Sequence, residues 1–214
     1  MAREIELKVP LSEQQFSHLK EIILASQDFK NLSFHSLSHI IKSDEYFSRY
    51  KTHEERKKNN ELKVIRIRSE KKLAIKPSGI DIFGDESENN ETSYFCIKQK
   101  TLENGVEFNS EHETKVENPE VLRAFFEASG YIKWFEKKKD SYSVYCLLKE
   151  GRKLEFEAHL ELLKVNGLPY IEIEYTKDTP EADKVRLLLE KILLALGIDP
   201  EKRDKRSWAE IINS

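Results

Sequence analysis

Charged residues of one sign recur two positions apart along this chain, segment after segment. The acidic pairs are Glu4/Glu6, Glu111/Glu113, Glu155/Glu157 and Glu172/Glu174. The basic pairs are Arg66/Arg68, Lys98/Lys100 and Lys137/Lys139. In a strand, side chains at i and i+2 leave from the same face. Paired carboxylates suit hard divalent cations such as Mg2+ or Mn2+, which prefer oxygen ligands. Lys and Arg suit phosphate oxygens, and the guanidinium fork engages two at once. Both sets in one enclosed space describe a site for a metal-bound polyphosphate.

Apolar residues sit between and beside these pairs: Ile5 and Leu7, Ile65 and Ile67, Ile97, Phe156, Ile171 and Ile173. Taken singly, each strand matches an antiparallel sheet with one wet face. Taken together they do not, because a wet face ordinarily mixes signs and like charges side by side repel. Whole strands here carry one sign, as if separate acidic and basic patches were being assembled. The apolar face offers helices a surface to cover, so the charged face turns inward if the sheet closes on itself. Enclosed charge is costly unless it is paired, metal-bound or met by a charged ligand.

The elements that must hold these residues are legible from periodicity. A strand is expected over residues 3–9, then a helix over 12–25 capped by Ser12, with Phe16, Leu19, Ile22, Ile23 and Leu24 at helical spacing. Residues 33–50 read as a strand, and Thr52 to Asn60 as a hairpin loop or surface excursion. Strands follow at 62–69, 72–76, 93–100 and 105–116, with a polar loop from Pro77 to Thr92. Pro119 opens a helix to Ser129, with Gly130 as its C-terminal cap. Further strands are expected at 131–139, 141–148, 152–160 and 169–176, with turns at Gly151 and Asn166-Gly167. A helix opened by Thr179-Pro180 and closed by Gly197 precedes a short last helix over Lys205 to Ile212. No linker splits the chain, so one domain over residues 1–214 is expected, α+β and built around a sheet or barrel.

Composition limits the function. The chain has 214 residues, of which 35% are charged and 38% hydrophobic, with 7 Gly, 6 Pro and 10% aromatics. That aromatic content argues for a folded protein with an unusual number of charges to place. The net charge of −3 lacks the basic excess of a general nucleic-acid binder, although a local anion site remains compatible with it. Cys96 and Cys146 lie in strand-like apolar stretches without metal or redox spacing, and read as buried free thiols. No apolar run reaches the ~20 residues of a membrane span. A soluble, cytoplasmic protein is expected, and exposed barrel edges or helix faces leave room for a homodimer.

The ordered set of charged motifs resembles the CYTH superfamily of triphosphate tunnel metalloenzymes over essentially the whole chain. The family's N-terminal Glu-x-Glu-x-Lys is matched by Glu4-Ile-Glu6-Leu-Lys8. There follow Asp44-Glu-Tyr46-Phe47, Ile65-Arg66-Ile67-Arg68, Ile97-Lys98-Gln-Lys100, Glu111-His-Glu113, Lys137-Lys-Lys139, Glu155-Phe-Glu157, Glu172-Ile-Glu174 and a closing Ser207-Trp208-Ala-Glu-Ile-Ile. The resemblance implies a closed eight-stranded antiparallel tunnel with helices outside, binding a small-molecule triphosphate with Mg2+ or Mn2+. It implies that Glu4, Glu6, Glu172 and Glu174 hold metal, and that Lys8, Arg66, Arg68, Lys98, Lys100, Lys137 and Lys139 contact phosphates. Three positions depart from the family pattern: Asn109-Ser110 in place of an arginine, Lys139 in place of an arginine, and Glu157 in place of an aspartate. Lys76 reads equally as a lumen residue or as a surface turn lysine.

The activity this implies is hydrolysis of the terminal phosphoryl group of inorganic, thiamine or nucleoside triphosphate. The basic residues would offset charge developing in the transition state. Glu111, Glu113 or Glu157 would hold a second metal that activates the attacking water. His112, between two glutamates, should face away from them. The alternatives are a class IV-type adenylyl cyclase making cyclic AMP from ATP, and a non-catalytic polyphosphate-binding module that the Asn109-Ser110 and Lys139 departures motivate.

Overall fold

The computed structural model describes residues 3–25, 28–61, 63–75, 91–103, 106–150, 153–177 and 181–213; side chains are described for these apart from 3–4, 100–103, 106–109, 150 and 153–155. Eight strands, all paired antiparallel, are β1 (Arg3–Pro10), β2 (Leu32–Ser48), β3 (Lys63–Leu73), β4 (Glu91–Glu103), β5 (Val106–Val116), β6 (Ile132–Glu150), β7 (Lys153–Val165) and β8 (Leu168–Tyr175). They close into a barrel in the order β1-β5-β4-β3-β2-β6-β7-β8. The closing strand β1 pairs with β8 from Ile5 to Pro10 and with β5 over the shorter run from Arg3 to Glu6. A closed sheet of alternating residues must put one set of side chains inside, and here that set is the charged one.

The other set forms the main core outside the barrel. Helices α1 (Glu13–Leu24) and α4 (Ala182–Ala195) cover the outward residues of β1, β6, β7 and β8. Phe16, Leu19 and Ile23 from α1 and Val185, Leu189, Ile192 and Leu193 from α4 join Ile5, Leu7, Leu160, Ile171 and Ile173, all nearly solvent-free. At roughly 1.5–3 kcal/mol per buried aliphatic side chain, this packing holds the barrel's charged interior in place. The Ser12 hydroxyl accepts from the Gln15 amide while the Gln15 side chain returns to the Ser12 amide, a capping box that fixes where α1 begins. On the opposite flank, α3 (Pro119–Ala128) packs Phe126 against Phe47 and Ile67.

The lumen is closed at one end by α5 (Trp208–Ile212), begun by a second capping box from Ser207 to Glu210. Trp208 and Ile211 pack on Leu163, Val165 and Tyr170, which share the inward parity of the charged residues. The tunnel therefore has an apolar floor under a charged chamber. Gly130 and Gly197 follow α3 and α4 with φ near +78°, as expected for C-terminal caps.

Several expected elements are corrected. Residues 53–58 form α2 (His53–Lys58), not a loop, because Thr52 and Glu55 make a third capping box. Residues 63–73 are one strand and residues 132–150 are one strand, where two were expected in each region. Barrel strands tilt and run long, and polar residues such as Ser141 and Ser143 lie inside the wall rather than at turns. The last helix is shorter than expected, and a 3-10 turn at Pro200–Lys202 precedes it. Loop residues 77–90, Lys76, Gly151 and Thr179-Pro180 lie outside the described residues. Among the described residues, no helix is long and apolar enough to cross a membrane. Cys96 and Cys146 are buried and free.

Candidate functional site

The inward faces of the strands meet around a cavity of about 650 Å³. Its charges fall into two arcs. Glu161 of β7, Glu172 and Glu174 of β8, Glu6 of β1, and Glu111 and Glu113 of β5 form an acidic arc across four neighbouring strands. Lys98 of β4, Arg66 and Arg68 of β3, Lys42 of β2, and Lys137 and Lys139 of β6 form a basic arc across the other four. The pairs Glu111/Glu113, Glu172/Glu174, Arg66/Arg68 and Lys137/Lys139 are thus gathered by the strand order into two facing walls.

Beneath the basic arc lies Asp44, which is fully buried. Arg68 donates to it from Nε at 2.6 Å and from Nη2 at 3.1 Å, and Lys137 Nζ lies 3.2 Å away. The Tyr46 hydroxyl also donates to it at 3.2 Å. Against the cost of burial, Arg68, Arg66 and Lys137 hold the Asp44 carboxyl well below its usual range. Burial, with Lys139 and Arg66 adding to it and Asp44 opposing, pushes Lys137 well below an ordinary lysine.

At the seams the two arcs pair. Arg66 Nη2 donates to Glu111 at 2.7 Å, and Lys98 Nζ lies 3.5 Å from the same carboxylate. Despite burial, these cations keep Glu111 ionised down to about 2. On the other side Lys139 bonds Glu172 and Lys42 bonds Glu161. Trp208 Nε1 donates to the second oxygen of Glu172 at 2.8 Å, and the ammonium groups of Lys137 and Lys139 each lie 5.7 Å from its ring centre. His159 stands between Ser143, 2.6 Å from Nε2, and Glu174, 2.8 Å from Nδ1.

The acidic arc fits a hard divalent cation, since its donors are carboxylate oxygens. Cys96, Glu111 and Glu113 bring one ligand atom each within 4.8 Å of one another. The thiol of that group is unsuited to a hard ion: burial pushes Cys96 up to about 12, and its S–H donates to Glu111 at 2.9 Å. Burial also raises Glu113, with Arg68 and Arg66 opposing.

Of the residues singled out from sequence, Glu6, Arg66, Arg68, Lys98, Glu111, Glu113, Lys137, Lys139, Glu172 and Glu174 all line the cavity. Lys8 lies at the floor instead, donating to the Arg206 carbonyl at 2.6 Å with its ammonium 5.2 Å from the Trp208 ring centre. Glu157 sits away from the lining, 3.4 Å from both Lys177 and His35; Glu161, four residues on, occupies the cavity. The side chains of Glu4, Lys100, Glu155 and Asn109 lie outside the described residues. His112 is exposed and faces away from the cavity. Sequence reasoning missed Lys42, His159 and Glu161, each at the inward parity of a strand already recognised, and the contribution of α2, whose signal was the Thr52-x-x-Glu55 box.

Comparison with protein-family models gives no match, and comparison with curated proteins gives none. Solved structures do match. The PH1819 protein of Pyrococcus horikoshii aligns over 98% of this chain and 98% of its own, with TM-score 0.69 and 19% identity. A candidate adenylate cyclase from Vibrio parahaemolyticus aligns over 99% of this chain and 98% of its own, with TM-score 0.59 and 17% identity. The candidate adenylyl cyclase HpAC1 from Hippeastrum, in which triphosphatase activity dominates, aligns over 92% and 89%, with TM-score 0.51 and 18% identity. At these identities the likeness is one of fold: this chain shares the architecture of these solved structures, an eight-stranded antiparallel barrel, here with charged side chains lining its lumen.

Proposed function

We propose that this chain hydrolyses a triphosphate at its terminal phosphoryl group with the help of Mg2+ or Mn2+. One observation carries the reading: a carboxylate arc and a cationic arc face each other across a single cavity. A triphosphate alone would satisfy the basic arc and leave the carboxylates facing new negative charge. A divalent cation alone would do the reverse. A metal–triphosphate complex satisfies both, so the seam ion pairs exchange partners instead of losing them.

In this reading Arg66, Arg68, Lys98, Lys137 and Lys139 hold the phosphate oxygens, with Lys42 beside them and Lys100 as a further candidate. Glu6, Glu172 and Glu174, with Glu4, hold the metal. Bound there, the metal supplies charge neutralisation on phosphate oxygens and a lowered pKa for a coordinated water. Glu111 and Glu113 orient the attacking water from the β5 wall, without Glu157, which lies away from the cavity lining. The cations of the basic wall offset the charge that develops as the terminal phosphoryl leaves.

Incubation of the purified protein with ATP, inorganic triphosphate and thiamine triphosphate, each with Mg2+ or Mn2+, tests the reading. Orthophosphate release from at least one of them is expected. Cyclic AMP and pyrophosphate without orthophosphate would make the chain a cyclase, and metal-dependent binding with no product would make it a polyphosphate-binding module.

A further inference from the structure

The cavity has one wing that is not built from the charged arcs. Where β2 pairs with β6, Tyr46 faces Phe135 and Phe47 faces Lys133, so Trp134 is the extra residue of a bulge. A bulge breaks the alternation of a strand and re-aims a side chain. Trp134 and Phe135 consequently both line the cavity, which strict alternation forbids for neighbours.

Helix α2 stands against this bulge. The His53 ring lies near-parallel to Trp134, with centroids 6.3 Å apart and an interplanar angle of 22°. Arg56 is placed over the same indole, 4.4 Å from its centre, and is held there by Glu61 and by the Lys63 carbonyl at 3.0 Å. Among the described residues neither ring nitrogen of His53 makes a hydrogen bond, and Nε2 lies at ion-pair distance, 3.2 Å, from Glu210 Oε1. Val64 and Ala209 add apolar surface. The cations Arg56 and Lys57 are matched by Glu61 and Glu210, so the wing carries little net charge.

Resting on the triphosphate reading above, we propose that this wing seats the nucleobase of a nucleoside triphosphate, with Trp134 and His53 as its specificity-determining residues. An inorganic triphosphate has charge for the two arcs and nothing for an aromatic wall. A neutral flat ring matches the aromatic surface that Trp134, Phe135 and His53 give this part of the cavity. The wing opens into the same cavity as Arg66 and Lys137, so one molecule reaches both parts.

Titration calorimetry on the full chain, with Mg2+ and two ligands that resist hydrolysis, separates the outcomes. The ligands are the β,γ-imido analogue of ATP and diimidotriphosphate, which has no base. The wild type should bind the ATP analogue roughly 5- to 150-fold more tightly, the range that base–aromatic stacking supplies. Trp134→Ala should remove that excess and leave the diimidotriphosphate Kd within about twofold. Equal affinities in the wild type, or an equal loss for both ligands in Trp134→Ala, overturns the proposal. Binding of neither ligand by the wild type instead overturns the triphosphate reading, and this inference with it. Should Trp134→Ala fail to fold, His53→Ala carries the test: a selective loss on the ATP analogue supports the proposal and unchanged affinity overturns it.

Discussion

Arg68 grips Asp44 through both ends of its guanidinium fork, Nε to Oδ1 at 2.6 Å and Nη2 to Oδ2 at 3.1 Å, below the floor of the basic wall. Asp44 thereby gives Arg66, Arg68 and Lys137 a shared counter-ion while staying out of the cavity lining. Asp44→Asn should cost about 3–5 kcal/mol of stability, as expected when one partner of a buried ionic cluster is removed. Tripolyphosphate should restore part of that loss, by supplying anions to the same cations. Urea denaturation with and without the ligand measures both effects; a variant as stable as the wild type would show that the cations need no internal anion.

The titration of the buried groups gives the stability curve two limbs. Glu111 keeps its charge down to about 2 when folded, against an ordinary glutamate near ~4.3. A depressed carboxyl stabilises above its unfolded pKa, and that stability is lost as pH falls toward the folded value. Asp44, Glu161 and Glu172 are shifted in the same direction. His159 is opposite in sign: although burial opposes it, the contact with Glu174 raises its pKa. Its contribution is complete below about 6.5 and is lost as pH rises through the folded value. Denaturation midpoints from pH 2 to 9 should fall at both ends. Glu111→Gln should flatten the acid limb and His159→Gln the alkaline limb; identical curves would contradict these pairings.

Trp208 joins the plug to the acidic arc. Trp208→Phe keeps most of the packing on Tyr170 and Leu163 but removes the donor to Glu172, at a cost of about 1–3 kcal/mol for an acceptor left short. Trp208→Ala should cost about 3–5 kcal/mol, the scale of a large aromatic removed from a core. Thermal or chemical denaturation reads both. Equal, small losses would mean that α5 lies on the barrel without sealing it.

How far the sequence reached is clearest from particular residues. The alternation Glu4-Ile-Glu6-Leu-Lys8 already separates an inward from an outward face, and Ile5 and Leu7 are indeed in the outer core. Same-sign pairing also foretold two patches, because i and i+2 on one strand cannot be separated by folding. Which strands stand side by side is a property of barrel order, so the contact of Lys42 with Glu161, 119 residues apart, left no local trace. Lys8 and Glu157 share the inward parity of their strands but lie beyond the two ends of the chamber, since periodicity gives the face and not the depth. Trp134 was hidden for a different reason: a bulge violates the period from which the face is read.

The most direct test of the two-arc site is metal-dependent orthophosphate release by the wild type and by Glu6→Ala. Glu6 lines the acidic arc with its side chain near Lys98, 4.0 Å away, and no part of the outer core depends on it. The expected result is release that needs Mg2+ or Mn2+ in the wild type and falls by about 100-fold or more in the variant, with near-wild-type folding. Release that survives chelation, or a Glu6→Ala protein that keeps full activity per folded molecule, would contradict a metal–triphosphate site between the arcs.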